Sequence, residues 1–295
     1  MSSTTSAGAG TFSKGIWRDV YLTGVKPASA SIEAISPRVY YKGAYPTEPL
    51  TDDSHGDFSV DVVIHLLAPA ATSGTLSVVG EWGASASTHL AAIPQGNSSA
   101  ILTLNASNND VKLWWPATTP GLPNLYAINV TFIEDAANSV AKVDSRRIGF
   151  RVFTLVTGND TDPSTLAGRD GQDGFTMRFK INGANIWSRG ANMIPMDELE
   201  GRYSDAAHRR LVQSAVEGGF NTFRLWGGGI YQTDAWYDAC DELGMMTYMD
   251  MMYAQGNHAP ANTPTQANEL RYQVRRLASH PSIVLYDGCN GESKF

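Results

Sequence analysis

Past residue 174 the chain alternates short apolar runs with amphipathic helix patterns, and this alternation constrains the fold more than any other feature. Residues 185–189, 221–226, 245–249 and 283–286 are too short for helices and read as strands. Helix signals fill the gaps. Ser204 caps a segment whose apolar face holds Leu211, Val212, Ala215 and Val216 and which ends at Gly218-Gly219. Thr233 caps a second, running through Trp236, Cys240 and Leu243 to Gly244. Thr263-Pro264-Thr265-Gln266 joins a cap, a first-turn proline and a capping-box glutamine ahead of Leu270, Val274 and Leu277. The order β-α-β-α-β-α-β predicts a parallel sheet.

Before residue 157 the pattern is different. Residues 24–156 read as strands without helices: 58–64, 75–79, 100–104, 126–132 and 148–156 are β-branched and partly alternating. Ser73-Gly74, Asn97-Ser98-Ser99 and Asn108-Asn109-Asp110 read as the turns between them. Short strands at this spacing predict an immunoglobulin-like β-sandwich. Residues 157–174 are rich in Asp, Gly, Thr and Pro and read as a linker. The expected fold is therefore multidomain, β plus α/β. Its second part, 175–295, opens either a doubly wound sheet or a (β/α)8 barrel of which about four βα units are present. The barrel fits better. Gly227-Gly228-Gly229 follows the second strand and lacks the spacing of a dinucleotide fingerprint. Each later strand also ends in a polar or aromatic group, as barrels arrange at their upper face.

Composition excludes several functions. Lys and Arg number 22 against 29 Asp and Glu, a net charge of -7, with no basic block for a phosphate backbone, so no nucleic-acid partner is expected. No apolar run approaches the roughly 20 residues of a membrane span. Cys240 and Cys289 are too few for a disulfide framework or a metal site. Residues 1–11 lack a signal-peptide pattern, while N-x-Ser/Thr sites at Asn97, Asn105, Asn129 and Asn159 hint at secretion or a lysosome-like compartment.

The strand ends suggest glycosidic chemistry, which needs a proton donor and a second carboxylate. Glu292 is the candidate acid/base, Asn290 a hydroxyl-binding amide, Arg224 a ligand for hydroxyls or a carboxylate, Asp250 a polar group closing the third strand, and Trp226 a platform for a sugar face. Plainer readings exist for each: a surface glutamate, an ion-paired arginine, a capping aspartate, a core tryptophan. His280 before Pro281 reads as a loop histidine.

Longer motifs carry a resemblance. Arg224-Leu225-Trp226-Gly227-Gly228-Gly229-Ile230-Tyr231 is the most specific. Leu113-Trp114-Trp115-Pro116, Arg147-Ile148-Gly149-Phe150-Arg151, Arg189-Gly190-Ala191-Asn192 and Cys240-Asp241-Glu242-Leu243-Gly244 stand in the matching order. The chain resembles the family 2 glycoside hydrolases, in their β-mannosidase-like branch. The resemblance implies a retaining exo-β-glycosidase acting on a β-linked oligosaccharide or glycoside, with no cofactor or metal. It makes residues 1–23, with Gly15-Ile16-Trp17-Arg18-Asp19-Val20-Tyr21-Leu22, the remnant of a sugar-binding jelly roll. It places Arg224, Trp226 and Asp250 around the terminal sugar and Asn290 beside the anomeric centre. Exo-β-glucosaminidase, β-galactosidase and β-glucuronidase are alternative activities in the same family, and a non-catalytic glycan-binding module is another.

Three departures accompany it. Gly291 separates Asn290 from Glu292, where the family has the acid directly after the amide; a one-residue step moves a side chain about 3.3 Å and reverses its facing. Met193 stands where the family often has Trp. The family's nucleophile follows a seventh strand, whereas four parallel strands are expected here. A half-barrel with two open edges and an apolar inner face is expected to be unstable, and no turnover is expected from this chain alone.

Overall fold

Strand-forming residues dominate the first half of the chain, and they assemble into two antiparallel sheets around one core. The computed structural model describes residues 16, 20–50, 55–135, 139–157, 177–197, 199–254 and 263–290. One sheet holds β1 (Ser31–Tyr41), β2 (Phe58–Ala68) and β5 (Gly96–Ala106), in the order β1-β2-β5. The other holds β3 (Thr72–Gly80), β4 (Ser85–Ile93), β6 (Tyr126–Glu134) and β7 (Lys142–Ile148), in the order β4-β3-β6-β7. A period of two turns Val60, Val62, Ile64 and Leu66 of β2 toward Leu76 and Val78 of β3 and Ile128, Val130 and Phe132 of β6. All are buried, each contributing about 1.5–3 kcal/mol of burial free energy. Phe150 closes one end, its ring 5.2 Å from both Phe58 and Trp82.

The expected strand at 148–156 is two elements. β7 ends at Ile148, and β8 (Phe153–Val156) starts a separate antiparallel sheet, β10-β9-β8, with β9 (Arg178–Ile181) and β10 (Ala184–Ile186). The break has a packing cause. A side chain at Gly149 would lie 2.9 Å from both Pro281 and Trp114, and Arg151 donates to the Pro281 and Ile283 carbonyls at 2.6 Å each. Two expected turns are strand as well: Ser73-Gly74 lies in β3, and Asn97-Ser98-Ser99 lies in β5 opposite Leu67, Leu66 and His65. β5 is an edge strand there, so it tolerates polar side chains on its outer face. The turn at Asn108-Asn109-Asp110 forms as expected.

The second half supplies four parallel strands, β11 (Gly190–Met193), β12 (Thr222–Leu225), β13 (Met246–Asp250) and β14 (Ile283–Asp287), paired in that order. Between them run α1 (Asp205–Glu217), α2 (Asp234–Leu243) and α3 (Pro264–Leu277). Ser204 caps α1 through the Ala207 N–H, and Thr263 with Gln266 completes a capping box on α3. Thr233 makes no side-chain cap bond; its hydroxyl meets His208 Nδ1 at 3.2 Å instead. The first parallel strand is not 185–189. Asn182 and Gly183 take left-handed turn conformations that fold β10 back on β9, and the parallel strand begins at Gly190. There a side chain would lie 1.7 Å from the Thr222 carbonyl oxygen, so the close strand approach admits glycine alone.

The helices cover one face of this sheet. Phe223, Leu225, Met249 and Ile283 pack there with Val212, Trp236, Tyr237, Cys240 and Leu277. Register puts Asn192, Arg224, Tyr248, Asp250 and Asp287 on the opposite face. This face is mixed rather than simply apolar as expected: Met246 and Leu285 share it with these polar and charged groups.

A seam joins the two halves. Buried Trp114 donates its indole N–H to the Asp241 carbonyl at 2.8 Å, and Asn182 bonds both Trp114 and Val152. Arg147 of β7 reaches Glu242 at 2.7 Å and Asp238 at 3.0 Å on α2, and the Ala117 N–H donates to the Gly244 carbonyl at 2.7 Å.

Candidate active site

Strand alternation and strand ends together assemble a polar cluster at the C-terminal edge of the parallel sheet. Arg224 projects from β12 beside Asp250, the last residue of β13. Its Nε and Nη2 donate to Asp250 Oδ1 at 3.2 Å and Oδ2 at 2.6 Å, a two-pronged ion pair. Nη2 also donates to Asn290 Oδ1 at 2.8 Å, and Nη1 to Asn192 Oδ1 at 3.3 Å. A guanidinium cannot accept, so it fixes the Asn290 amide with its oxygen inward and its NH2 turned away from Arg224. Asn290 lies three residues past β14 and is held by its own N–H on the Tyr253 carbonyl at 2.8 Å.

Asp250 is 0% exposed. Burial raises its carboxyl above the ordinary value; the Gly227 N–H at 3.1 Å and the Arg224 guanidinium pull it back. Gly227 is required at that turn. A side chain there would meet the Met251 and Tyr253 carbonyl oxygens at 2.7 and 2.9 Å and Asn290 Cβ at 3.3 Å. Beneath Arg224 lies the Tyr248 ring, 5.6 Å from the guanidinium carbon. Its hydroxyl donates to Asp287 Oδ2 at 2.6 Å, and that bond, with burial second, raises the phenol above its usual range.

Of the residues singled out in the sequence, the structure brings Arg224, Asp250 and Asn290 into direct contact. Trp226 is half-buried on the same rim, with its indole lying over Gly228, where a side chain would come within 2.0 Å of the ring. Glu292 and Gly291 lie outside the described residues. Asn192 and Tyr248 were not anticipated as site residues, and Asp287 was expected only as the carboxylate that follows the last apolar run, with no role of its own. Their signal is register: Asn192 and Tyr248 are the row partners of Arg224, and Asp287 is the partner of Asp250 in the next row. The cluster can bind a polyol through directed donors and acceptors.

A second cluster, Asp238, Asp241 and His280, brings possible metal-ligating atoms within 4.8 Å of one another. Asp241 there accepts from His280 Nδ1 at 2.6 Å and from the Ser282 N–H at 3.1 Å, while Asp238 takes Arg147, so these groups serve the seam. No helix among the described residues is long and apolar enough to cross a membrane.

Comparison with known proteins adds independent information. The family model for "Glycosyl hydrolases family 2" matches residues 43–151. A β-mannosidase of Rattus norvegicus is 36% identical over 182 residues, 61% of this chain and 19% of the rat protein. β-Mannosidase A of Aspergillus fumigatus is 29% identical over 283 residues, 94% of this chain and 30% of that protein. The crystal structure of β-D-mannosidase from Dictyoglomus thermophilum superposes with a TM-score of 0.66 at 26% identity, covering 87% of this chain and 29% of that one. β-Glucuronidase of Parabacteroides merdae superposes with a TM-score of 0.62 at 18% identity, a likeness of fold. The mostly β structure of this chain, with few helices, superposes on the matched part of each of these proteins. The chain spans between 19% and 30% of the curated relatives' length.

Proposed function

We propose that this chain is a β-mannosidase-like member of the family 2 glycosyl hydrolases and that its polar rim binds the terminal sugar of a β-linked glycoside. The reaction is retaining exo-hydrolysis of the O-glycosyl bond, carried out by the whole protein. On this reading residues 24–156 are an immunoglobulin-like domain, 157–174 a linker, 175–295 the first half of a (β/α)8 catalytic barrel, and 1–23 the end of a jelly roll. The open face of the parallel sheet is then the barrel interior, which accounts for its polar side chains.

One observation carries the proposal: Arg224 bonds simultaneously to Asp250 of the next strand and to Asn290 beyond the one after. Three consecutive strand ends thus present one preorganised set of hydroxyl ligands, with the Asn290 NH2 free of Arg224 and able to donate to a sugar oxygen. Trp226 stands on the rim for the apolar face of the ring. Glu292, two positions past Asn290 in the sequence, is assigned the proton for the leaving oxygen.

A panel of aryl glycosides tested on the whole protein decides the matter. Hydrolysis of p-nitrophenyl β-D-mannoside in preference to the β-glucuronide, β-galactoside and β-glucosaminide is expected. Preference for one of the others moves the assignment within the family, and no hydrolysis of any removes it. Glu292→Gln should slow substrates with poor leaving groups far more than p-nitrophenyl substrates, which need little protonation.

A further inference from the structure

Building on the sugar-binding reading, we propose that Tyr248 and Asp287 are positioning residues: the phenol occupies the Asp287 carboxylate and thereby keeps Arg224 committed to Asp250 and Asn290. Register sets Arg224 and Tyr248 side by side in one row and Asp250 and Asp287 side by side in the next, all on the open face. A guanidinium on this face has two carboxylates to choose between. Asp287 is the cross-strand partner of Asp250, the carboxylate that Arg224 already holds.

Tyr248 removes the competitor. Its hydroxyl donates to Asp287 Oδ2 at 2.6 Å, while its ring supports the guanidinium at 5.6 Å through a cation–π contact. Asp287 Oδ1 faces the Cys289 N–H at 3.5 Å, in the segment that delivers Asn290, and the Asp287 carbonyl accepts from the Met251 N–H at 2.8 Å, just past Asp250. One residue thus links the support under Arg224 to both loops that carry its ligands. A phenylalanine at 248 would keep the ring and lose the hydroxyl that occupies the acid. Asp287 would then draw Arg224 away, and the Asn290 amide would lose the donor that orients it.

Two readouts test this. In the whole protein, 15N-labelled at arginine, the Arg224 Nε–Hε resonance, assigned with Arg224→Lys, reports the guanidinium's position whether or not sugar is turned over. Tyr248→Phe is expected to move it, and Tyr248→Phe/Asp287→Asn to return it to the wild-type position, because the competing charge has gone. In the whole protein, Tyr248→Phe should raise KM for an aryl β-glycoside about tenfold with a smaller change in kcat, and the double variant should recover most of that loss. A resonance that stays in place in Tyr248→Phe overturns the proposal, as does a double variant no closer to wild type than the single one. A whole protein inert toward every aryl glycoside sinks the sugar reading instead, and the resonance still decides the pair.

Discussion

The two halves of this molecule use the faces of their sheets in opposite ways. In the antiparallel half, two sheets turn their apolar faces on each other, so that Ile64 and Phe132, from different sheets, are both fully buried. In the parallel half, the helices supply the main apolar layer, and the other face holds Arg224, Tyr248, Asp250 and Asp287. The contrast teaches where chemistry can reside. A core closed between two apolar sheet faces has no room for a buried carboxylate. A sheet covered on one side can bury Asp250 at its edge, where Arg224 and the Gly227 N–H offset the cost of removing its charge from water.

If that division of labour is right, damage to one half should leave the other's property intact. The largest effect is expected from Phe132→Ala, which should lower stability by about 3–5 kcal/mol in a denaturant melt while KM of the folded protein stays unchanged. Arg224→Ala should do the reverse in kind, reducing kcat/KM of the whole protein by roughly 100-fold or more, about 3 kcal/mol, since it strands Asp250 and releases Asn290 together. A change in pH sharpens the comparison further. Asp250 titrates above its ordinary value of 3.8, so as pH falls through that raised value it takes a proton and loosens Arg224. KM should therefore climb in acid at a pH above 3.8, and Asp250→Asn should remove that limb. The group's effect on folding has the opposite sign. Between its unfolded and raised values the folded chain holds more of this proton, so this contribution to stability grows as pH falls through the window. The smallest effect belongs to the half-exposed seam: Arg147→Ala should cost only about 0.5 kcal/mol, read as a slight shift in the melt.

Much of this architecture was legible in the sequence, and the exceptions have physical causes. Caps at Ser204 and Thr263 announce their helices through local chemistry, and both form. Strands with β-branched alternation, such as β2 and β6, show themselves in the same way. β4, with the sequence Ser-Ala-Ser-Thr-His-Leu-Ala-Ala-Ile, does not, because an edge strand needs few large apolar residues. β11 was misplaced for a related reason: Gly-Ala-Asn-Met carries no strand propensity, and close approach to β12 dictates its glycine. The run at 148–156 looked continuous because the contacts that break it, from Gly149 and Arg151 to Pro281, lie 130 residues away in Arg151's case. The site divides along the same line. Arg224, Asp250 and Asn290 could be picked out as polar groups ending apolar runs. Asp287 also ends such a run, but its place beside Asp250, like the placing of Tyr248, comes only through register, which includes an irregularity between Thr247 and Tyr248 that sequence spacing does not reveal.

The junction at Gly244 has a practical consequence. This residue closes α2 in a left-handed conformation with φ of 73°, and a side chain there would strike the Ala117 amide at 2.5 Å, while that amide already donates to the Gly244 carbonyl. Helix end and loop therefore fit as a matched lock, built from residues 127 positions apart in number. A chimera that takes its first half from one relative and its second from another must transplant the Leu113 to Ala117 loop together with the Cys240 to Gly244 turn, or the recombined halves will not seat.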